Sequence, residues 1–229
     1  MEDILGLALL DKYHDLSTTK IWIYNKYGPK EEMPVDVYYR EKNDMPKIEL
    51  VALNECTGKV LDIGAGAGSH ALILQQKDID VTALDISPKA AEVMKLRGIK
   101  KIVCDDIFSF KEENFDTLLL LMNGIGIAGT ITMLRIFLQH AKKLLMPGGQ
   151  LIFDSSDIAY LYEGRIPVME NYYGEILYQY QYKNKRSGWF SWLYVDKKTL
   201  LKIATEEGWG MEVLFEDGFD QYLVKLTVK

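Results

Sequence analysis

The stretch VLDIGAGAG at residues 60–68 constrains this chain more than any other feature. An apolar run of strand character ends there, and glycines then stand at alternate positions, Gly64, Gly66 and Gly68, ahead of the helix-like segment SHALILQQ. Glycine weakens both strands and helices, so this placement predicts a tight turn whose backbone can lie directly against a ligand. The helix after the turn would direct unpaired N–H groups to the same point. The sequence therefore predicts a nucleotide-type site.

Strand-like and helix-like segments alternate from residue 59 to about residue 157. The strand-like runs are continuously apolar, which is typical of a parallel sheet covered by helices on both faces. We predict an α/β fold with a doubly wound, mostly parallel sheet. Ser69 is expected to cap the helix after the glycine turn, and Pro88 to stand in the first turn of the next helix. The predicted strands are KVLDIG, DVTALDIS, KIVCDDI, FDTLLLLMNG and QLIFDSSD.

The C-terminal third has a different pattern. The segment EILYQYQYKNKRSGWFSWLYVD alternates aromatic and polar residues and predicts an antiparallel hairpin, and MEVLFEDGFDQYLVKLTVK predicts a second one. We expect an N-terminal helical and extended cap at residues 1–58 and a ligand-binding domain at 59–229, with the aromatic hairpin inserted at about 158–195. The aromatic residues of 172–194 can form a substrate lid, a dimer surface or ordinary sheet faces.

Acidic residues stand at the ends of three successive predicted strands. Asp62 lies inside the end of the first strand, Asp85 ends the second, and Asp106 follows the third. A buried carboxylate is costly unless it accepts hydrogen bonds or meets a cation. Asp85 is placed to accept both hydroxyls of a ribose, and Asp106 to meet an adenine amino group. Each of these two also has a purely structural interpretation, as a cap of a helix or a turn.

Two ligand classes compete for this edge of the sheet. A dinucleotide site expects G-x-G-x-x-G or G-x-G-x-x-A, whereas this chain has G-x-G-x-G followed by Ser69. Asp62 would also repel a pyrophosphate. A sulfonium nucleoside with an amino-acid tail fits better, since its α-ammonium needs an acid beside the turn and it carries no phosphate.

These motifs resemble those of the class I S-adenosylmethionine-dependent methyltransferases. The matching segments are VLDIGAGAG, VTALDIS, CDDI, FDTLLLLMNGIG and LLMPGGQLIFDSSD, which span roughly half of the chain. The resemblance implies a Rossmann-like sheet of seven strands with an antiparallel C-terminal strand, and S-adenosyl-L-methionine as the cofactor. It implies cofactor-binding roles for Asp62, Gly64, Ala65, Gly66, Gly68, His70, Asp85, Ile86, Asp106, Ile107 and Asn123.

The resemblance leaves the acceptor and the catalytic residues open. Relatives that methylate base amines or glutamine amides carry an N-P-P-Y type motif, of which this chain has only Asn123. Asn123 can orient the substrate or the cofactor's ammonium, or serve as a turn residue. Asp157 is a candidate general base or a helix cap. Tyr39 and Arg40 are candidates to line the site, Arg40 as a partner of the methionine carboxylate, or to pack elsewhere.

The composition and net charge of the chain limit the classes of partner that it can bind. A net charge of −6 argues against nucleic acid as the main partner, and no apolar run is long enough for a membrane helix. Two isolated cysteines favour the cytoplasm, and three scattered histidines give no metal site. We expect a methyltransferase with a small-molecule substrate, and a homodimer is an open alternative. The other open alternatives are an RNA or protein methyltransferase using Lys183, Lys185 and Arg186, a nucleotide-binding oxidoreductase, and a non-catalytic binding module.

Overall fold

The fold is taken from a computed structural model that describes residues 2–16, 20–111, 114–162 and 171–229. Its helices are α1 (Ile4–Tyr13), α2 (Lys47–Glu55), α3 (Ser69–Gln76), α4 (Pro88–Leu96), α5 (Ile131–Leu144) and α6 (Lys197–Glu206). Its strands are β1 (Lys20–Asn25), β2 (Glu31–Pro34), β3 (Val60–Ile63), β4 (Val81–Asp85), β5 (Ile102–Cys104), β6 (Phe115–Leu120), β7 (Leu145–Ser156), β8 (Glu175–Tyr182), β9 (Lys185–Arg186), β10 (Phe190–Leu193), β11 (Trp209–Glu216) and β12 (Gln221–Val228).

Seven of these strands form one sheet in the order β11-β12-β7-β6-β3-β4-β5. The strand β4 pairs parallel to β5, and β6 pairs parallel to β7. The strand β12 pairs antiparallel to both of its neighbours, β7 and β11. It is therefore the reversed strand of this sheet. The predicted α/β fold, with a mostly parallel sheet of seven strands and a reversed C-terminal strand, is confirmed.

The start of α3 differs from the expectation in one respect. Gly68, with a left-handed φ of +78°, occupies the N-cap position, and α3 begins at Ser69 itself. The Ser69 hydroxyl does not cap the helix but donates to the backbone oxygen of Tyr38 at 2.7 Å. The predicted Ser69 cap is therefore wrong, because a left-handed glycine turns the chain one residue earlier.

A second sheet joins segments that are far apart in the chain. Its strand order is β10-β8-β1-β2, with β9 paired to β8. The β8–β9 pair is the turn of the predicted aromatic hairpin, in which Gln181 faces Arg186. The strand β1 pairs antiparallel to both β2 and β8, with Trp22 opposite Gln181. The hairpin and the extended N-terminal segment therefore share one sheet.

The chain divides into two compact units, the first with residues 1–45, 61–110 and 177–190, and the second with 46–60, 111–176 and 191–229. The core of the first unit is formed by Ile4, Ala8, Leu9, Ile21, Val35, Ala67, Ala90, Val93 and Tyr182. In the second unit α5 buries its apolar face, which comprises Leu134, Phe137, Leu138, Ala141 and Leu144. The domain boundary at residue 58 stays a prediction, and residues 163–170 of the predicted insertion lie outside the described residues.

No helix within the described ranges is long and apolar enough to cross a lipid bilayer.

Candidate functional site

The glycine turn joins β3 to α3 in a conformation that side chains disfavour. Gly64, Gly66 and Gly68 all have a positive φ, at +72°, +58° and +78°. A Cβ atom on Gly68 would lie 2.5 Å from the Ile99 side chain, so that glycine is required for packing as well. A Cβ atom on Gly64 would meet nothing within 4 Å. The space beside Gly64 is therefore open to a ligand.

The backbone of the turn is tied to the end of β4. The N–H groups of Gly64 and Ala65 donate to the Leu84 oxygen at 2.8 and 3.0 Å, and the Gly66 N–H donates to the Asp85 carboxylate at 2.8 Å. These three N–H groups are engaged within the protein. Hydrogen bonds within the chain therefore fix the conformation of the turn. A ligand at the turn would contact its backbone atoms without accepting hydrogen bonds from these three N–H groups.

Asp62 is a buried acid with an unfilled hydrogen-bonding position. Its side chain is only 2% exposed, and its Oδ2 atom has no hydrogen-bond partner among the residues that the structure describes. Burial raises its pKa from 3.8 to about 6, although His70 and the Ala71 N–H favour the charged form. His70 is itself buried in the first turn of α3. A carboxylate in this position favours a cationic group of a ligand.

Asp85 is half-buried at the end of β4, and both of its oxygens already accept a backbone N–H. One oxygen accepts from Ser87 at 2.8 Å and the other from Gly66. Burial raises the pKa of Asp85, and Asp3 raises it further. Each oxygen still has lone-pair capacity for one more donor.

Asp3 was not singled out in the sequence. It accepts the Ser87 hydroxyl at 2.6 Å and the Gly6 N–H at 2.9 Å, which makes it the N-cap of α1. Ser87 in turn caps α4 by accepting from the Ala90 N–H at 2.9 Å. The only sequence signal was an acid directly ahead of an apolar helix. This contact brings the Asp3 carboxylate close to Asp85.

The residues predicted to meet adenine differ in exposure. Ile86 is 69% exposed, which is unusual for an isoleucine next to a buried strand. Asp106 is exposed two residues beyond β5, and its Oδ1 atom accepts the Phe108 N–H at 3.0 Å. Ile107 is buried. The pairing of Asp85 with Cys104 in the β4–β5 ladder aligns the ends of these two strands.

The N-terminal residues expected near the turn are placed differently from one another. The Tyr38 ring lies against Gly66, 3.3 Å from where a Cβ would be. The Tyr39 hydroxyl donates to the Leu9 oxygen at 2.6 Å. Arg40 lines a cavity of about 280 Å³ together with Arg97, which donates to the Ala67 oxygen at 2.6 Å. Tyr38 is thus the aromatic residue in contact with the glycine turn.

In the second unit, Asn123 follows β6 in a strained turn. Met122 and Asn123 both have a positive φ, at +63° and +55°. The Asn123 N–H donates to both oxygens of Asp154 at 2.9 Å, and its side-chain amide donates to the Leu193 oxygen at 3.1 Å. Its Oδ1 atom is buried, with no partner in the described part of the chain.

Asp154 is 1% exposed, and burial raises its pKa to about 6. Besides the Asn123 N–H it accepts from the Gln221 side chain at 3.1 Å. A carboxylate with both oxygens engaged in this way stabilises the turn after β6 rather than offering a free position to a ligand.

Asp157, the candidate base, lies directly beyond β7. Its Oδ1 atom accepts the Tyr173 hydroxyl at 2.7 Å and the Ala159 N–H at 2.9 Å. It therefore caps the short turn at residues 159–162 and also binds a tyrosine, so both sequence interpretations remain compatible with its position.

The basic cluster that favoured an RNA substrate is largely paired with acids. Lys183 contacts Asp11 at 2.6 Å and Lys185 contacts Glu2 at 2.9 Å. Arg186 packs over the Tyr24 ring, with 4.7 Å between the guanidinium carbon and the ring centroid. These pairings reduce the net positive charge of this surface. Within the described residues, no group of His, Cys, Asp or Glu is arranged to hold a metal ion.

Comparison with known proteins decides which family the chain belongs to. The family described as "Methyltransferase domain" matches residues 61–153. A crystal structure of an S-adenosylmethionine-dependent methyltransferase from Bacteroides fragilis, in complex with S-adenosyl-L-homocysteine, superposes with a TM-score of 0.92 and 40% identity, over 99% of this chain and 94% of that one. The chain belongs to the S-adenosylmethionine-dependent methyltransferases.

Other relatives of this methyltransferase are more distant. A methyltransferase from Clostridium acetobutylicum has a TM-score of 0.60 at 13% identity, over 82% of this chain and 94% of that one, and shows the fold alone. The demethylmenaquinone methyltransferase of Tropheryma whipplei is 30% identical over 102 residues, or 41% of this chain. The chain spans 40% of the length of that curated relative.

Proposed function

We propose that this methyltransferase binds S-adenosyl-L-methionine at the glycine turn and methylates a small-molecule acceptor. The observation that carries the proposal is Asp62, whose buried Oδ2 atom lacks a partner in the described part of the chain. An ionised carboxylate at such a position is stable only when a cation or donors complete it. The α-ammonium of the methionine part is the matching group.

The neighbouring residues fit the rest of the cofactor. The open space at Gly64 admits the methionine chain, and the remaining lone pairs of Asp85 suit two ribose hydroxyls. The exposed Ile86 side chain offers an apolar face to adenine, beside Asp106. Ala65, Gly66 and Gly68 shape the turn, and we assign supporting roles to His70, Ile107 and Asn123.

The protein's contribution to the reaction is mainly alignment. The bound cofactor supplies a methyl group already activated on a sulfonium, with a neutral leaving group. Asp62 neutralises the ammonium, and Asp85 fixes the ribose through a carboxylate that the Gly66 and Ser87 N–H groups hold in place. Such positioning can lower the barrier by several kcal/mol.

A small molecule is the acceptor we favour. The net charge is −6, and Lys183 and Lys185 pair with acids rather than forming an open cationic surface. The cytoplasmic location stays a prediction from the sequence, and a homodimer stays an open alternative. Demethylmenaquinone, named in the curated relatives, belongs in any panel of acceptors.

Calorimetric titration with S-adenosyl-L-homocysteine and with NAD tests the cofactor. We expect binding of the first and none of the second. Asp85→Ala should weaken binding at least tenfold, since each hydrogen bond to a carboxylate contributes about 1.5–3 kcal/mol. Asp80→Ala is the matched control, because Asp80 precedes the same strand at its other end and pairs with Lys101. Binding of NAD alone would contradict the proposal.

A further inference from the structure

The N-terminal ends of α1 and α4 are joined by a hydrogen bond between side chains. The Ser87 hydroxyl at the start of α4 donates to Asp3 at the start of α1, at 2.6 Å. The two helices also contribute apolar side chains to one core, namely Ile4, Ala8, Ala90 and Val93. The N-terminal helix is therefore attached directly beside the end of β4, where Asp85 stands in the proposed cofactor site.

Gly6 permits this contact. It is buried inside α1, in a position where glycine is less favourable than alanine. A Cβ atom there would lie 2.2 Å from the Ser87 hydroxyl oxygen and 2.4 Å from Oδ2 of Asp3. An alanine would therefore push apart the two groups that the hydrogen bond joins. The helix is weakened by this glycine, and in return the ends of the two helices can approach each other.

Ser87 connects the contact to Asp85. Its hydroxyl oxygen accepts the Ala90 N–H at 2.9 Å while its proton is donated to Asp3, so the side chain is held from two sides. Its backbone N–H donates to Oδ1 of Asp85 at 2.8 Å. Asp3 is held as well, because its Oδ1 atom accepts the Gly6 N–H at 2.9 Å. Asp3 thus helps to fix, through Ser87, the direction of an N–H group that binds Asp85.

An acid at residue 3 has an electrostatic cost that other helix caps would avoid. Burial is the main cause that raises the pKa of Asp85, and the negative charge of Asp3 raises it further. Serine or threonine would cap α1 without this repulsion. A carboxylate differs from them in having two acceptor oxygens, of which one caps α1 and the other accepts the Ser87 hydroxyl. The second oxygen is what the acid adds.

We infer that Asp3 is a positioning residue for the cofactor, which acts through Ser87 and orients Asp85 toward the two ribose hydroxyls. The inference rests on the proposed function. Each oxygen of Asp85 accepts one backbone N–H, from Ser87 or from Gly66, and has capacity for one further donor. Two hydroxyls on adjacent ribose carbons can use both positions only when the carboxylate is held in a matching orientation. The glycine turn holds one oxygen, and α1 supports the group that holds the other.

A double-mutant cycle tests this role through the binding of S-adenosyl-L-homocysteine to the full chain. Asp3→Ser keeps one oxygen to cap α1 and removes the oxygen that accepts the Ser87 hydroxyl. It is measured alone and in combination with Asp85→Ala. Glu2→Gln is the control, because it removes the neighbouring acid, which pairs with Lys185 at 2.9 Å. Urea unfolding of every variant measures its stability.

Asp3→Ser should weaken binding roughly fivefold, which is the effect of about one hydrogen bond, and Glu2→Gln should bind like the wild type. In the Asp85→Ala background, Asp3→Ser should change the affinity by less than about twofold, because its effect passes through Asp85. A cap with a purely structural role would weaken binding by the same factor in both backgrounds. Equal factors would therefore overturn the inference, as would wild-type affinity of Asp3→Ser.

Gly6→Ala tests the same contact with Asp3 and Ser87 both present. Its Cβ atom displaces the Ser87 hydroxyl, so it should weaken binding roughly fivefold alone and by less than about twofold after Asp85→Ala. This variant decides if Asp3→Ser fails to fold, and its binding with wild-type affinity would contradict the inference. Unchanged affinity of Asp85→Ala would also refute the inference while leaving the cofactor in place. A wild type that binds no S-adenosyl-L-homocysteine would instead refute the proposed function itself.

Discussion

Asp62 and Asp154 are alike in burial and in charge, yet they differ in what surrounds them. Each is nearly inaccessible to solvent, and burial raises the pKa of each to about 6. Both oxygens of Asp154 are engaged by the Asn123 N–H, and Gln221 adds a further donor. One oxygen of Asp62 has no partner among the described residues. The completed carboxylate stabilises the fold, and the incomplete one is suited to a ligand.

The turns beside these acids differ in the same way. The turn after β3 reaches positive φ with glycines, which adopt it at little cost. The turn after β6 reaches it with Met122, for which the same conformation is unfavourable, and with Asn123, which tolerates it better. Asp154 compensates by binding the Asn123 backbone. The turn after β3 leaves open space for a ligand, and the turn after β6 is stabilised by its hydrogen bonds to Asp154.

The largest expected effect is on stability. Asp154→Ala should lower the free energy of unfolding by about 2–4 kcal/mol, because it leaves the buried Asn123 N–H and the half-buried Gln221 amide without an acceptor. Urea unfolding at pH 7 measures this, with the exposed Asp80→Ala as a control that should change it by less than about 0.5 kcal/mol. Equal stability of both variants would mean that Asp154 does not hold the turn.

Asp62→Asn should show the opposite profile. Removing the charge that binds the ammonium should weaken binding of S-adenosyl-L-homocysteine at least tenfold, or about 1.4 kcal/mol. The free energy of unfolding should fall by no more than about 1 kcal/mol, because the ionised side chain is itself costly to bury. Calorimetry measures the binding, and urea unfolding of the same samples measures the stability. A loss of stability as large as that of Asp154→Ala would erase the distinction.

The affinity for S-adenosyl-L-homocysteine should also depend on pH. One unit below the pKa of about 6, roughly a tenth of the Asp62 carboxyls are ionised, so binding at pH 5 should be about tenfold weaker than at pH 7. The stability of the ligand-free protein should depend on pH in the opposite direction. Between pH 3.8 and 6 the native state binds more protons than the unfolded state, so the contributions of Asp62 and Asp154 to stability fall as pH rises. Asp62→Asn should flatten the binding profile, and a flat wild-type profile would exclude Asp62.

The smallest expected effect distinguishes the backbone conformation of Gly64 from the open space beside it. Gly64→Ala and Gly148→Ala both place a Cβ at positive φ, +72° and +82°, with nothing within 4 Å. Each should cost about 1 kcal/mol of stability for the left-handed conformation. Only Gly64→Ala should also weaken binding of S-adenosyl-L-homocysteine, by a few-fold. Equal binding by both variants would show that the space at Gly64 is not used.

The sequence predicted the parallel strands, the reversed C-terminal strand and the acids at successive strand ends, because each depends on local pattern. The predicted capping role of Ser69 was wrong, because the left-handed Gly68 takes the N-cap position and α3 begins at Ser69. The pairing of β1 with β8 was not predictable, since strand partners distant in sequence leave no local signal.

Three contacts at the candidate site were missed for the same reason. Tyr38 against Gly66 and Asp3 against Ser87 are set by packing between remote segments. The engagement of Asp154 by the Asn123 backbone depends on the exact geometry of a turn. The sequence identified Asp62 as an acid that is costly to bury, and it did not single out Asp154. The hydrogen bonds of the two acids distinguish their roles.

The β1–β8 pairing bears on how the protein is made. Trp22 and Tyr24 leave the ribosome early, but their partners Gln181 and Gln179 follow more than 150 residues later. Until then β1 has an unpaired edge, which is a template for pairing with other chains. This edge of β1 is therefore completed only after β2 to β7 have been synthesised.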